Sequence, residues 1–87
     1  MSRIDTFTKL HNNLFDYVKR ITNQPNMNVP TVAETIIFLN TAVDLNYNVD
    51  DLETKYKEGI NNYDSVTDEQ KNKVRKYLTA MLELLRI

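Results

Sequence analysis

The sequence predicts an all-α fold, a compact four-helix domain with helices at about residues 3–23, 32–46, 49–62 and 68–86. Three observations carry that prediction. Apolar residues recur at steps of three and four in four separate segments, which is the period of a helix face. Glycine occurs once and proline twice, so the residues that hairpins and phosphate-binding loops require are scarce. Polar residues with cap chemistry stand in front of the periodic segments. Connections of about eight, three and four residues suit a bundle-like packing with room for an orthogonal corner between the second and third helices. Residues 1–87 read as a single helical domain, without internal repeat or low-complexity tract.

The first helix places Ile4, Phe7, Leu10 with His11, Leu14, Tyr17 with Val18, and Ile21 on one face. Ser2 and Asp5, three apart, form a weaker relative of the capping box, and Pro25 stands just past the end. The loop from Asn23 to Pro30 is held extended in front of each of its two prolines. Helix two opens on Thr31 with Glu34 three residues on, a capping box whose threonine is worth about 1 kcal/mol. Its body, with Val32, Ala33, Ile36, Ile37, Phe38, Leu39, Ala42, Val43 and Leu45, is apolar around more than half its circumference. Such a helix must be covered on more than one side, so its predicted place is the centre of the domain or partly at an interface.

Helix three starts at Val49, capped by Asn48, with Asp50, Asp51 and Glu53 near the positive end of the helix dipole. Val49, Leu52, Tyr56, Ile60 and Tyr63 form its predicted inward face, and Gly59 weakens it by about 1 kcal/mol relative to alanine. Helix four opens on a second capping box, Thr67 with Gln70, and buries Val74, Tyr77, Leu78, Met81, Leu82 and Leu85. Lys71, Lys73, Arg75 and Lys76 crowd its first half against the dipole, partly offset by Asp68 and Glu69.

Composition excludes several function classes. Eleven Lys and Arg against twelve Asp and Glu give a formal charge of −1, so no global field draws the chain to nucleic acid or an anionic membrane. One histidine, two serines and no cysteine leave no set of groups for catalysis, for a metal or for a cofactor. The expectation is a protein that is not an enzyme and has no small-molecule substrate, with His11 a core-edge or surface residue. No window approaches the roughly 18 apolar residues of a membrane span, and the N-terminal stretch lacks the apolar run of a secretory signal. With no cysteine, the reducing cytosol is the natural compartment, and the expected location is cytoplasmic. Eleven asparagines sit mostly between helices, which is loop chemistry. They also accord with an AT-rich genome such as a phage, so a viral or mobile-element origin is an expectation by association.

The residues left over point to partners. Tyr17, Tyr56 and Tyr77 fall on inward stripes, whereas Tyr47 and Tyr63 lie at helix–loop junctions and are the first candidates for contact. Lys73, Arg75 and Lys76 could grip an acidic surface or a nucleic-acid backbone, although a solvated helix face is the simpler explanation for them. Around the helix, Val74 and Tyr77-Leu78 divide Lys71 and Arg75 from Lys73 and Lys76, and no aromatic platform with flanking Arg is evident. Leu84 and Ile87 point partly outward, spare apolar surface for a homodimer or another protein. The predicted function is a non-enzymatic protein–protein interaction module, an inhibitor, adaptor or regulator. In size and helical character the chain is similar to the immunity proteins of small bacteriocins and to early phage regulators, but no motif carries residues across.

Two alternatives belong to other classes. Ala42, Leu45, the turn Asn46-Tyr47-Asn48 and Leu52 stand at helix-turn-helix spacing. The would-be recognition helix then presents Asp50, Asp51, Glu53 and Glu58 to phosphates, which disfavours a DNA-binding regulator. Asp64-Ser65-Val66 resembles the Asp-Ser-Leu attachment motif of acyl carrier proteins, also acidic four-helix domains of this length. That resemblance implies a carrier domain modified at Ser65. In that family the serine opens the second helix near mid-chain and an acidic helix follows, whereas Ser65 precedes the last helix and a basic cluster follows it.

Overall fold

The computed structural model, described over residues 2–86, contains α1 (Arg3–Ile21), α2 (Val32–Asp44), α3 (Val49–Gly59) and α4 (Asp68–Arg86). A 3-10 turn, Tyr63–Ser65, precedes α4, and no strand occurs among the described residues. The helix starts follow the cap chemistry written in the sequence. Ser2 Oγ accepts from the Asp5 amide at 3.2 Å. Thr31 and Glu34 close a full capping box with both bonds at 3.1 Å. Asn48 and Asp51 do the same at 2.9 Å each way. Thr67 and Gln70 complete theirs at 3.0 and 3.1 Å.

Asparagine ends the helices. Asn23, Asn46 and Asn62 adopt φ of 55, 60 and 65°, the left-handed region that Asn tolerates better than other residues with a side chain. After α1, the Gln24 amide donates to the Lys19 carbonyl at 2.9 Å and the Asn23 amide to Arg20 at 3.2 Å. After α2, Tyr47 donates to Ala42 at 2.9 Å and Asn46 to Val43 at 3.0 Å. Both are Schellman closures, which satisfy the last carbonyls and turn the chain sharply. They stop α1 and α2 at Ile21 and Asp44, two residues short of the predicted 23 and 46. α3 also ends early, at Gly59 rather than 62, because Ile60 is extended and Asn62 left-handed. Tyr63 therefore lies on the 3-10 turn and not on helix three.

The core is built on α4. This helix packs against each of α1, α2 and α3, and the tightest of those pairings is with α1. Val74, Leu78, Met81 and Leu82 meet Phe7, Leu14, Phe15 and Val18 of α1, Leu39 and Ala42 of α2, and Leu52 of α3 in one buried cluster. Ile60, Tyr63 and Val66 of the α3–α4 connection close it from one end. The radius of gyration, 12.4 Å, is close to the ~12 Å of a folded chain of this length.

The central helix is thus α4, so of the two places predicted for helix two, the centre of the domain or partly at an interface, the first is corrected. α2 buries only Thr35, Leu39 and Ala42, and leaves Ile37, Phe38 and Leu45 exposed. Its apolar circumference exceeds what one neighbouring helix can cover. Ile4, predicted inward, is also exposed, while Phe15, absent from the predicted stripe, is buried.

Candidate functional site

The uncovered side of α2 is the largest feature that packing leaves unexplained. Ile37 is 67% exposed, Leu45 58% and Phe38 37%. Ile37, Thr41 and Leu45 are spaced by four and share one face of the helix, with Phe38 at its edge. Phe38 meets Tyr56 of α3 edge-on, with ring centroids 6.1 Å apart, and Tyr56 touches Phe15 behind it at 6.1 Å. Burial pushes the Tyr56 hydroxyl up to about 12. Beside this aromatic pair lies an open cleft of about 440 Å³ lined by Pro30, Glu34, Thr35, Phe38, Lys55 and Tyr56.

Thr35 gives the cleft an unusual wall. Thr6, Thr8, Thr22, Thr41, Thr54 and Thr79 each donate their hydroxyl to the carbonyl four residues earlier. The Thr35 hydroxyl is buried without a hydrogen-bond partner, as is His11 Nε2. His11 is therefore a core residue, 3% exposed and packed on Phe15 with ring centroids 4.9 Å apart.

Charge divides the molecule. From Thr31 to Gly59 six carboxylates stand against two lysines, a net −4, and α2 itself carries no cation. α1 has four cations against two carboxylates and α4 five against three, a net +2 each. The helix two–helix three corner is thus the acidic part of the molecule, with Asp50, Asp51 and Glu58 exposed on α3.

The predicted contact residues separate on this frame. Tyr63, predicted both on the inward face of helix three and as a contact candidate, is a core residue: it is 2% exposed, on the 3-10 turn that follows the left-handed Asn62. Its hydroxyl donates to Glu53 Oε2 at 3.0 Å. Burial first, then that hydrogen bond, holds its pKa well above the usual tyrosine range. Arg75 is likewise taken up internally. It donates to Glu53 Oε1 at 3.1 Å and pairs with Asp50, so its guanidinium ties α4 to α3 instead of facing a partner. The hydrogen bonds to Asp50 and then Glu53 raise its pKa further. Leu84 is half-buried against the core, and its carbonyl accepts from Arg3 Nη1 at 3.2 Å. Tyr47 is half-buried at the end of α2. Ile87 lies outside the described residues.

Lys73 and Lys76 remain exposed, and Lys73 reaches across to α1. Its ammonium sits 4.5 Å from the centroid of the Tyr17 ring, which Arg20 also covers at 5.7 Å. An aromatic ring flanked by Arg and Lys, absent from the linear sequence, is thus assembled between α1 and α4. Lys71 turns the other way, over Tyr63 at 5.7 Å, which bears out the division of the cluster around α4.

Ser65 is exposed on the 3-10 turn and donates its hydroxyl to the Asn62 carbonyl at 2.9 Å, a local bond that shapes the entry to α4. Among the described residues no group of three or more His, Asp or Glu is placed to hold a metal ion. Nor, among them, is any helix long and apolar enough to cross a membrane. Compared with known proteins, the chain matches no family model, no curated protein and no solved structure.

Proposed function

We propose that the chain is a non-enzymatic interaction module that docks another protein on the exposed face of α2 and acts as its inhibitor, adaptor or regulator. The observation that carries this reading is the stripe Ile37, Phe38 and Leu45, left exposed on a helix whose other side is packed into the core. Large apolar side chains grouped on one face are the surface that partner binding covers. Phe38 and Tyr56 are aromatic anchors of the kind that dominate interface energies, and the cleft beside them has room for a side chain of the partner.

The surrounding charge selects the occupant. A net −4 over α2 and α3 favours an apolar surface edged by Lys and Arg. A second copy docked through this face would bring two α2–α3 surfaces of net −4 together, a like-charge juxtaposition that costs affinity. The occupant in this reading is a different protein, and a cytoplasmic setting goes with it.

The test compares capture of a binding partner from lysate by the wild-type chain and by Ile37→Asp and Leu45→Asp. Both positions are exposed, so the variants should keep the wild-type melting temperature within a few degrees. The proposal expects one protein retained by wild type, released as salt is raised, and lost in both variants. Retention of the same protein by both variants overturns it. A concentration-dependent rise in mass by light scattering, abolished by the same substitutions, would overturn the choice of occupant in favour of a homodimer.

A further inference from the structure

The groove between α1 and α4 is a second surface, which the α2 reading does not use. Lys19, Arg20, Lys73 and Lys76 gather along the groove between α1 and α4, with Tyr17 and Tyr77 half-buried among them. Among the described residues none of these four cations lies within ion-pair distance of a carboxylate, whereas Lys57 and Arg75 are both paired. Cations gathered along one groove repel one another, and a bound polyanion relieves that cost even with Asp16 and Glu69 in the same lining.

We propose that the α1–α4 groove binds single-stranded nucleic acid. Its parts are those of a sequence-tolerant strand binder, a basic track for the backbone and aromatic rings for bases. Lys73 and Arg20 supply cations at the Tyr17 ring, and Lys76 and Tyr77 continue the track along α4. Acceptors are interleaved with the cations. Asn13, Asp16 and Asn23 lie beside Arg20 and Tyr77, and Glu69, Gln70 and Asn72 lie beside Tyr17 and Lys73. Base edges present amino donors that amide and carboxylate oxygens accept. An acidic peptide offers no such donors on its side chains. A duplex is a poorer fit, since its major groove takes a protruding helix and here the cations line a recess between two.

The experiment is fluorescence anisotropy of the full chain with a labelled single-stranded oligonucleotide of mixed sequence, the matching duplex, and a poly-glutamate peptide, each over a salt series. The proposal expects single-strand binding at low salt whose log K falls against log salt with a slope of about −2 to −3, corresponding to three or four phosphates. Lys73→Glu with Lys76→Glu should weaken it at least about tenfold. Carboxylates in the first half of α4 suit the helix dipole, so the fold is retained. Tyr17→Leu, which keeps apolar bulk and removes the ring, should weaken binding about fivefold or more. Ile37→Asp should change nothing, which separates this surface from the α2 face. No binding at low salt, tighter binding of the duplex, equal binding of poly-glutamate, or insensitivity to the paired lysine substitutions would each overturn the proposal.

Discussion

The two halves of this molecule put helices of different pattern to different ends. α1 and α4 bury their stripes against each other, with Phe7, Leu14, Val18, Val74 and Leu78 each 1% exposed or less. Arg20, Lys73 and Lys76 stay exposed. α2 and α3 pack on α4 through few residues, and α2 leaves Ile37 and Leu45 more than half exposed in an acidic setting. The comparison teaches where the fold is made and where surface is left over. Stability resides in the α1–α4 pair, and unsatisfied apolar area resides on α2.

The sharpest way to break that contrast is to truncate one residue on each side. Leu78→Ala removes a side chain with no exposure from the middle of α4 and should cost 2–5 kcal/mol, by cavity and transfer terms together. A domain of this size has only about 5 kcal/mol or so to lose, so urea denaturation should find it largely unfolded near body temperature. Ile37→Ala, by contrast, should shift the midpoint by no more than about 0.5 kcal/mol. Equal effects at the two positions would mean that α2 is covered in the free protein.

Smaller changes sharpen the account of the α2–α3 side. Thr35→Val keeps the shape of the side chain and removes a buried hydroxyl that has no partner, so it should stabilise by about 1 kcal/mol. A loss of stability in chemical denaturation would show that the hydroxyl is satisfied in solution. Gly59 closes α3 without a positive φ, and a Cβ added there meets nothing within 4 Å. Gly59→Ala should therefore raise the thermal midpoint, by an amount equivalent to about 0.5–1 kcal/mol.

Helix starts were legible in the sequence because capping is local chemistry. Thr31 with Glu34 and Thr67 with Gln70 are each three residues apart, and nothing distant decides whether they bond. Helix ends were legible only in kind. Asparagine marked the loops, but which asparagine goes left-handed depends on the turn that tertiary packing selects, so α1, α2 and α3 all stop early. The sequence leaves the place of α2 between the centre and an interface because wide apolarity has two physical solutions, burial in a core or cover by a partner, and periodicity does not separate them; the packing removes the first. The Tyr17 ring with its two cations was invisible for a different reason: Lys73 comes from the other end of the chain. Tyr63 was legible as an inward residue but not as part of a 3-10 turn, because the left-handed Asn62 before it ends the helical run.

The smallest expected effect is electrostatic. The Glu34 carboxylate accepts from the Thr31 amide, which holds its pKa below 4.5. A carboxylate depressed in the folded state contributes stability that is fully present above the unfolded value and is lost as pH falls through the folded one. Thermal melts from pH 7 down to pH 2 should show wild type converging on Glu34→Gln only at the acid end. A gap of constant size throughout would remove the charge from the cap.

The central claim, that the exposed face of α2 docks a partner, is tested most directly by site-specific photocrosslinking. A photoreactive phenylalanine analogue replaces Phe38 in one sample and Lys76 in another, and both are irradiated in lysate. The account predicts a discrete crosslinked protein from position 38 that position 76 does not give and that Ile37→Asp abolishes. The same protein crosslinked from both positions, or none from position 38, would contradict it.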